Sequence, residues 1–237
     1  MPAAIWRVTL LALAPEFDVV ALDPRGQGDS ELVGRGYHID RRADDIGQCI
    51  DQCVDNGVQV ILVGWSLGAL EALHYVRRQG ERNIKGLVLV DSSVGEEPAI
   101  SPAQSFRDAL RADRRGTVEQ FVRAMFRTAR PQSEIDLLIE SALRLPLEDS
   151  LALFPSHIPR DYWRGIVRTV QAPLLYVVTP QFAEQAANLK LARPATQVEI
   201  FSEAGHALFV DEAGRFNRLL SQFIGQIDRD RRDVAPG

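Results

Sequence analysis

A serine hydroxyl is a poor nucleophile at neutral pH unless the chain presents it in the open with a base beside it. One stretch of this sequence suits that presentation. Gly64-Trp65-Ser66-Leu67-Gly68 follows an apolar run at residues 58–63 and precedes a helix-like segment at residues 69–76. Strand, Gly-x-Ser-x-Gly, helix is the arrangement of a nucleophile elbow, in which the chain reverses sharply beneath the serine. Both flanking glycines, lacking Cβ, are expected to let strand and helix pass closely. The N–H of Leu67, at the helix start, then points to where an oxyanion would form. The competing reading is a serine in an ordinary Gly-rich turn.

A base must come from elsewhere in the chain, and there are four histidines. His206 lies in a loop after the final strand-like run, on the same sheet edge as Ser66, with Gly205 before it giving the backbone latitude. His38 falls in a loop, His74 in the helix after the elbow and His157 in a Pro-rich helical stretch. These three are expected to be structural or exposed.

The elements that position these residues alternate. Strands are predicted at 19–22, 58–63, 85–90, 174–178 and 197–201, separated by helical segments at 40–55, 69–80 and 181–191 and followed by a final amphipathic helix. Such alternation predicts an α/β fold with a mostly parallel sheet and flanking helices. Between residues 95 and 170 the rhythm stops. Helix-like segments punctuated by prolines replace it, an all-helical cap (lid) inserted over the sheet's C-terminal edge. The domain division is therefore a core of residues 1–94 and 171–227, a cap of residues 95–170, and a disordered charged tail at 228–237.

Composition narrows the function classes. The 237 residues carry 27 basic and 32 acidic side chains, a formal charge of −5, which gives no electrostatic reason to expect nucleic acid or an anionic membrane as partner. No apolar run reaches the length of a membrane span. The apolar N-terminal stretch has no basic leader and is interrupted by Arg7, so it reads as a helix rather than a signal peptide. Cys49 and Cys53 are expected to be buried packing residues, and the lack of a disulfide framework fits a cytoplasmic location. The loop Asp23-Pro24-Arg25-Gly26-Gln27-Gly28-Asp29-Ser30 lacks both Walker and dinucleotide spacing. No cofactor and no metal site is expected.

Three motifs in order, Asp-Pro-Arg-Gly-Gln-Gly-Asp-Ser at 23–30, Gly-Trp-Ser-Leu-Gly at 64–68 and Ala-Gly-His-Ala-Leu-Phe at 204–209, make the chain resemble an α/β-hydrolase of the cap-bearing esterase, haloperoxidase and C–C hydrolase group. The resemblance covers nearly the whole chain. It implies Ser66 as nucleophile, His206 as general base and Leu67 N–H as one oxyanion donor. Trp65 and Leu208, beside the nucleophile and the base, are expected to line the substrate pocket.

Two departures accompany the resemblance. The family commonly carries its acid just after the strand matching residues 174–178, where this chain reads Thr179-Pro180-Gln181-Phe182-Ala183-Glu184. Asp91, at the tip of the strand after the elbow helix, is the location some relatives use instead. Glu184 is the second candidate, on a helix and facing solvent. The family also begins with three further strands and a His-Gly oxyanion loop, which this sequence lacks. The expected function is a serine hydrolase, a carboxylesterase, cleaving a small ester or related acyl substrate through an acyl-enzyme. Haloperoxidase-like perhydrolysis and C–C bond hydrolysis would use the same groups. The alternative is a non-catalytic α/β-hydrolase-like binding protein or an inactive fragment.

Overall fold

The computed structural model describes residues 1–55, 57–99 and 103–234. After a short 3-10 turn, helix α1 (Arg7–Leu13) leads through an irregular stretch to α2 (Ile39–Cys53). Strand β1 (Val60–Trp65) is followed by α3 (Leu67–Gln79) and β2 (Ile84–Val90). Five helices come next: α4 (Ala103–Ala112), α5 (Arg114–Ala124), α6 (Gln132–Leu143), α7 (Leu147–Ala152) and α8 (Arg160–Thr169). Strand β3 (Leu174–Val178), α9 (Ala183–Ala192), β4 (Gln197–Ile200), the short α10 (Leu208–Asp211) and the long α11 (Ala213–Val234) complete the fold.

Among the described residues, four strands pair in parallel in the order β1-β2-β3-β4. Parallel neighbours cannot be joined by a tight turn, so each connection crosses over through helix. The central strands are apolar on both faces because both faces are covered. Val88, Val90, Leu175 and Val177 pack on one side with residues of α1, α5 and α11; Leu87, Leu89, Leu174, Tyr176 and Val178 pack on the other with α2, α3, α8 and α9. The side-chain period of two divides each strand between these two cores.

Polar contacts join the helices. α2 and α3 share a buried ion pair, Arg42 with Glu71. His74 of α3 bonds Asp40 at 2.8 Å and the Tyr162 hydroxyl of α8 at 2.7 Å. The Asp23 carboxylate accepts the Ala3 N–H at 2.6 Å and the Asp29 N–H at 3.1 Å, while Arg144 donates to the carbonyls of Gly28 and Ser30 at 2.6 and 2.8 Å. The Gly-rich loop is thus a structural joint between the N-terminal region and α6.

Three expectations need correction. Residues 19–22 form no strand. A strand exists through its ladder, and among the described residues β1 pairs only with β2, leaving no partner beside that stretch; Val20 and Leu22 are 60% and 41% exposed. Cys53, the last residue of α2, is exposed and Cys49 only half-buried, because Ile39, Ala43 and Ile50 form the helix's inward face. Residues 228–234 continue α11 instead of fraying. Residues 235–237 and Asn56 lie outside the described residues. The region between β2 and β3 is helical as expected, although Trp163, Ile166 and Val167 of α8 belong to the core under α3 and β3.

Candidate active site

Ser66 stands between β1 and α3 with φ 54° and ψ −121°. A non-glycine residue at positive φ costs about 1–3 kcal/mol and persists only where its surroundings hold it. Here Ser66 N–H bonds the Val90 carbonyl at 2.8 Å, extending the β1–β2 ladder under the turn. The steric reason for glycine applies to one flank only. A Cβ on Gly64 would lie 2.4 Å from the Gly68 carbonyl oxygen and 2.7 Å from the Ala69 Cα, whereas one on Gly68 would meet nothing within 4 Å. The expectation that both glycines serve close passage therefore holds for Gly64 and fails for Gly68. Leu67 opens α3, so its N–H belongs to the first helical turn, whose donors have no intrahelical acceptor.

Asp91 follows β2 directly and is the second non-glycine residue at positive φ, 43°. Its carboxylate is 1% exposed. Oδ2 is 2.7 Å from His206 Nδ1, and Oδ1 accepts the N–H of Thr179 at 2.7 Å and its hydroxyl at 2.8 Å. An acid bonded to Nδ1 orients the imidazole and leaves Nε2 as the basic nitrogen. Glu184 is exposed on α9, as expected. The strand tip after β3, empty of an acid, supplies Thr179 as donor to the acid of the neighbouring tip.

His206 lies between β4 and α10. Trp65, the residue before Ser66, donates its indole Nε1–H to the His206 carbonyl at 2.8 Å, and the two rings lie 5.1 Å apart. Phe121 of α5 sets its ring edge-on to the imidazole at 6.1 Å and continues into an aromatic group with Phe106 and Phe154. Below Asp91, the Tyr176 hydroxyl donates to the Ser92 carbonyl at 2.6 Å. Burial, with Asp91 and Glu96 adding negative charge nearby, pushes the Tyr176 phenol well above its ordinary value and keeps it neutral.

The other histidines have structural surroundings. His38 caps α2 by accepting the Arg41 N–H at 3.4 Å, His74 is fully bonded, and His157 is exposed. Leu208, the first residue of α10, is 0% exposed and packs in the core. Phe121 reads in the sequence only as one apolar residue of the helical insertion, and Thr179 carries no chemical signature there. The only available sign of Thr179 was its position at a strand tip.

A serine on a strained strand-to-helix turn, an aspartate on the next strand tip and a histidine bonded to that aspartate lie at the C-terminal edge of the sheet of a parallel α/β protein. The model of the alpha/beta hydrolase family matches residues 1–219, and the chain belongs to that family of enzymes. It is similar to the pimeloyl-[acyl-carrier protein] methyl ester esterase of Vibrio campbellii, 27% identical over 241 residues that cover 94% of this chain and 90% of the relative. Among solved structures, an esterase from Exiguobacterium antarcticum superposes with a TM-score of 0.78 at 20% identity, covering 94% of this chain and 88% of that one. A bromoperoxidase from Bacillus anthracis superposes with a TM-score of 0.82 at 21% identity, covering 95% and 88%. These two likenesses show the fold. Among the described residues no helix is long and apolar enough to cross a membrane.

Proposed function

We propose that this chain is a serine hydrolase that cleaves carboxylic esters through an acyl-enzyme. The observation that carries the reading is the 2.7 Å contact between Asp91 Oδ2 and His206 Nδ1, at the same sheet edge as Ser66 on its strained turn. Ser66 Oγ attacks the ester carbonyl while His206 Nε2 takes the hydroxyl proton, and the Leu67 N–H donates to the developing oxyanion. The imidazolium, stabilised by Asp91, returns the proton to the departing alcohol. A water then attacks the acyl-Ser66 carbonyl, gives its proton to His206, and the carboxylic acid leaves as Ser66 recovers its proton. The esterase relative supports an ester over other acyl substrates, and the aromatic group of Phe106, Phe121 and Phe154 supports an uncharged acyl or alcohol portion on that side of the imidazole. The protein would act on a small molecule, without cofactor, in the cytoplasm, with residues 95–170 as its cap.

The test is Ser66→Ala. Turnover of a short-chain p-nitrophenyl ester should vanish, and a fluorophosphonate probe should label only the wild type. Labelling that persists in the variant would place the nucleophile elsewhere. A wild type that neither turns over esters nor takes the probe would favour a binding protein.

A further inference from the structure

The base is held by more than its acid. Asp211 closes α10, and its carboxylate accepts four hydrogen bonds. Oδ2 takes the N–H of Gly205 at 2.8 Å and that of Arg127 at 2.9 Å; Oδ1 takes the Thr128 N–H at 3.0 Å and the Thr128 hydroxyl at 2.5 Å. Gly205 immediately precedes the histidine, and Arg127 and Thr128 lie just beyond α5, in the helical insertion.

A second bond spans the same gap from the other side of the histidine. Ala207 N–H donates to the Met125 carbonyl at 2.8 Å. The approach is so close that a Cβ on Gly205 would lie 2.6 Å from that carbonyl oxygen. Met125 is 1% exposed, and Phe121, one turn earlier, faces the imidazole. The backbone on both sides of His206 is therefore fastened to the end of α5.

A carboxylate suits this junction, since it only accepts and offers about four lone-pair sites. All four donors belong to two segments far apart in the chain. Burial raises the Asp211 pKa, but the bonds from Thr128, Arg127 and Gly205 outweigh it and hold the group below the usual carboxylate range.

We propose that Asp211 is a positioning residue that binds the His206 loop to the 127–128 turn, so that a displacement of α5 displaces the catalytic base. The inference rests on the hydrolase reading given above. Neutralising the carboxylate would disrupt the junction without emptying it. An amide has one oxygen, so the side chain of the Asp211→Asn variant would turn its NH2 group either towards the Gly205 and Arg127 N–H groups or towards the Thr128 N–H beside a hydroxyl that can accept from it, leaving at least one N–H unpaired.

The experiment compares wild type, Asp211→Asn and Thr128→Val. It measures kcat and KM on a p-nitrophenyl ester with active sites counted by the fluorophosphonate, and the pH titration of the His206 ring by NMR. Asp211→Asn should lower kcat per active site by about 10- to 100-fold with KM within about twofold, and Thr128→Val by about threefold to tenfold. The His206 titration midpoint should move in both variants. A loss of melting temperature with kcat per site and the His206 titration unchanged would overturn the proposal and leave Asp211 as a fold-stabilising cap. Should Asp211→Asn fail to fold, Thr128→Val decides by the same two readouts, wild-type values in both refuting the proposal. The NMR titration does not depend on Ser66. If Ser66→Ala kept its label, the hydrolase reading would fall while the titration still decided for or against Asp211.

Discussion

Asp91→Asn is the substitution whose effect the geometry specifies most fully. Aspartate and asparagine are nearly isosteric, so the buried site should keep its shape. The carboxylate serves the Thr179 N–H and hydroxyl through Oδ1 and His206 through Oδ2. Asparagine has one acceptor. The Thr179 N–H is fixed by the backbone at 2.7 Å and will hold the amide oxygen, which turns the NH2 group towards His206 Nδ1. A donor there selects the imidazole tautomer with its proton on Nε2, the nitrogen that accepts from Ser66 in the proposed mechanism. Loss of the correct tautomer costs about four decades in kcat in a triad, equivalent to about 5 kcal/mol of transition-state stabilisation at 1.36 kcal/mol per decade. The assay is p-nitrophenyl ester turnover, with circular dichroism to establish that the variant is folded. Glu184→Gln, changing an exposed side chain, is the control and should leave kcat within about twofold. A folded Asp91→Asn protein with kcat within tenfold of wild type would refute the assignment, and a crippled Glu184→Gln would move the acid to the other strand tip.

Other outcomes follow from neighbouring geometry. Thr179→Val removes the hydroxyl donor at 2.8 Å but keeps the backbone donor, so kcat should fall by about 10- to 100-fold, consistent with about 1.5–3 kcal/mol for a bond to a charged group; an unchanged rate would mean the backbone bond alone holds Asp91. Gly64→Ala drives a Cβ into backbone and should destabilise the fold by about 3 kcal/mol or more. Gly68→Ala meets open space and should melt at or slightly above the wild-type temperature, since alanine gains up to about 1 kcal/mol in a helix; equal damage from both substitutions would contradict the asymmetry. The Asp211 carboxylate, with its folded pKa held below the ordinary value, contributes stability that is present above about pH 4 and lost as pH falls through the depressed value. Asp211→Asn should therefore show a shallower loss of stability between about pH 5 and about pH 2 in acid-melting curves, and identical curves would show no net contribution from the carboxylate.

The parts of this protein legible in its sequence are those governed by local pattern. The apolar runs of β2 and β3 are visible because strands buried on both faces need nothing but apolar side chains. The elbow was visible because a strand, a glycine-flanked serine and a helix are contiguous. Residues 19–22 misled because the same apolar pattern predicts a strand whether or not a partner lies beside it. Asp91 and Glu184 could not be separated, since the choice depends on which strand tip reaches the imidazole. Thr179 and Asp211 were invisible for a related reason: each acts through bonds to a segment distant in sequence, and neither residue type advertises its partner. Gly68 carried the right letter without the expected steric need.

The chain order of Ser66, Asp91 and His206 has a kinetic consequence. Asp91 and His206 are separated by 115 positions, with the helical insertion lying between them. A loop of that length must close before the contact forms, and parallel pairings of this kind are slow because chain entropy is lost before the contact rewards it. During synthesis the serine and the acid emerge first, the histidine only after β3 and β4 can dock. In refolding from denaturant, helical signal should recover early, while reactivity towards the phosphonate probe appears only in the slowest phase. Probe labelling would thus report completed assembly, and a protein arrested with the insertion folded but β4 undocked would be compact, helical and chemically inert.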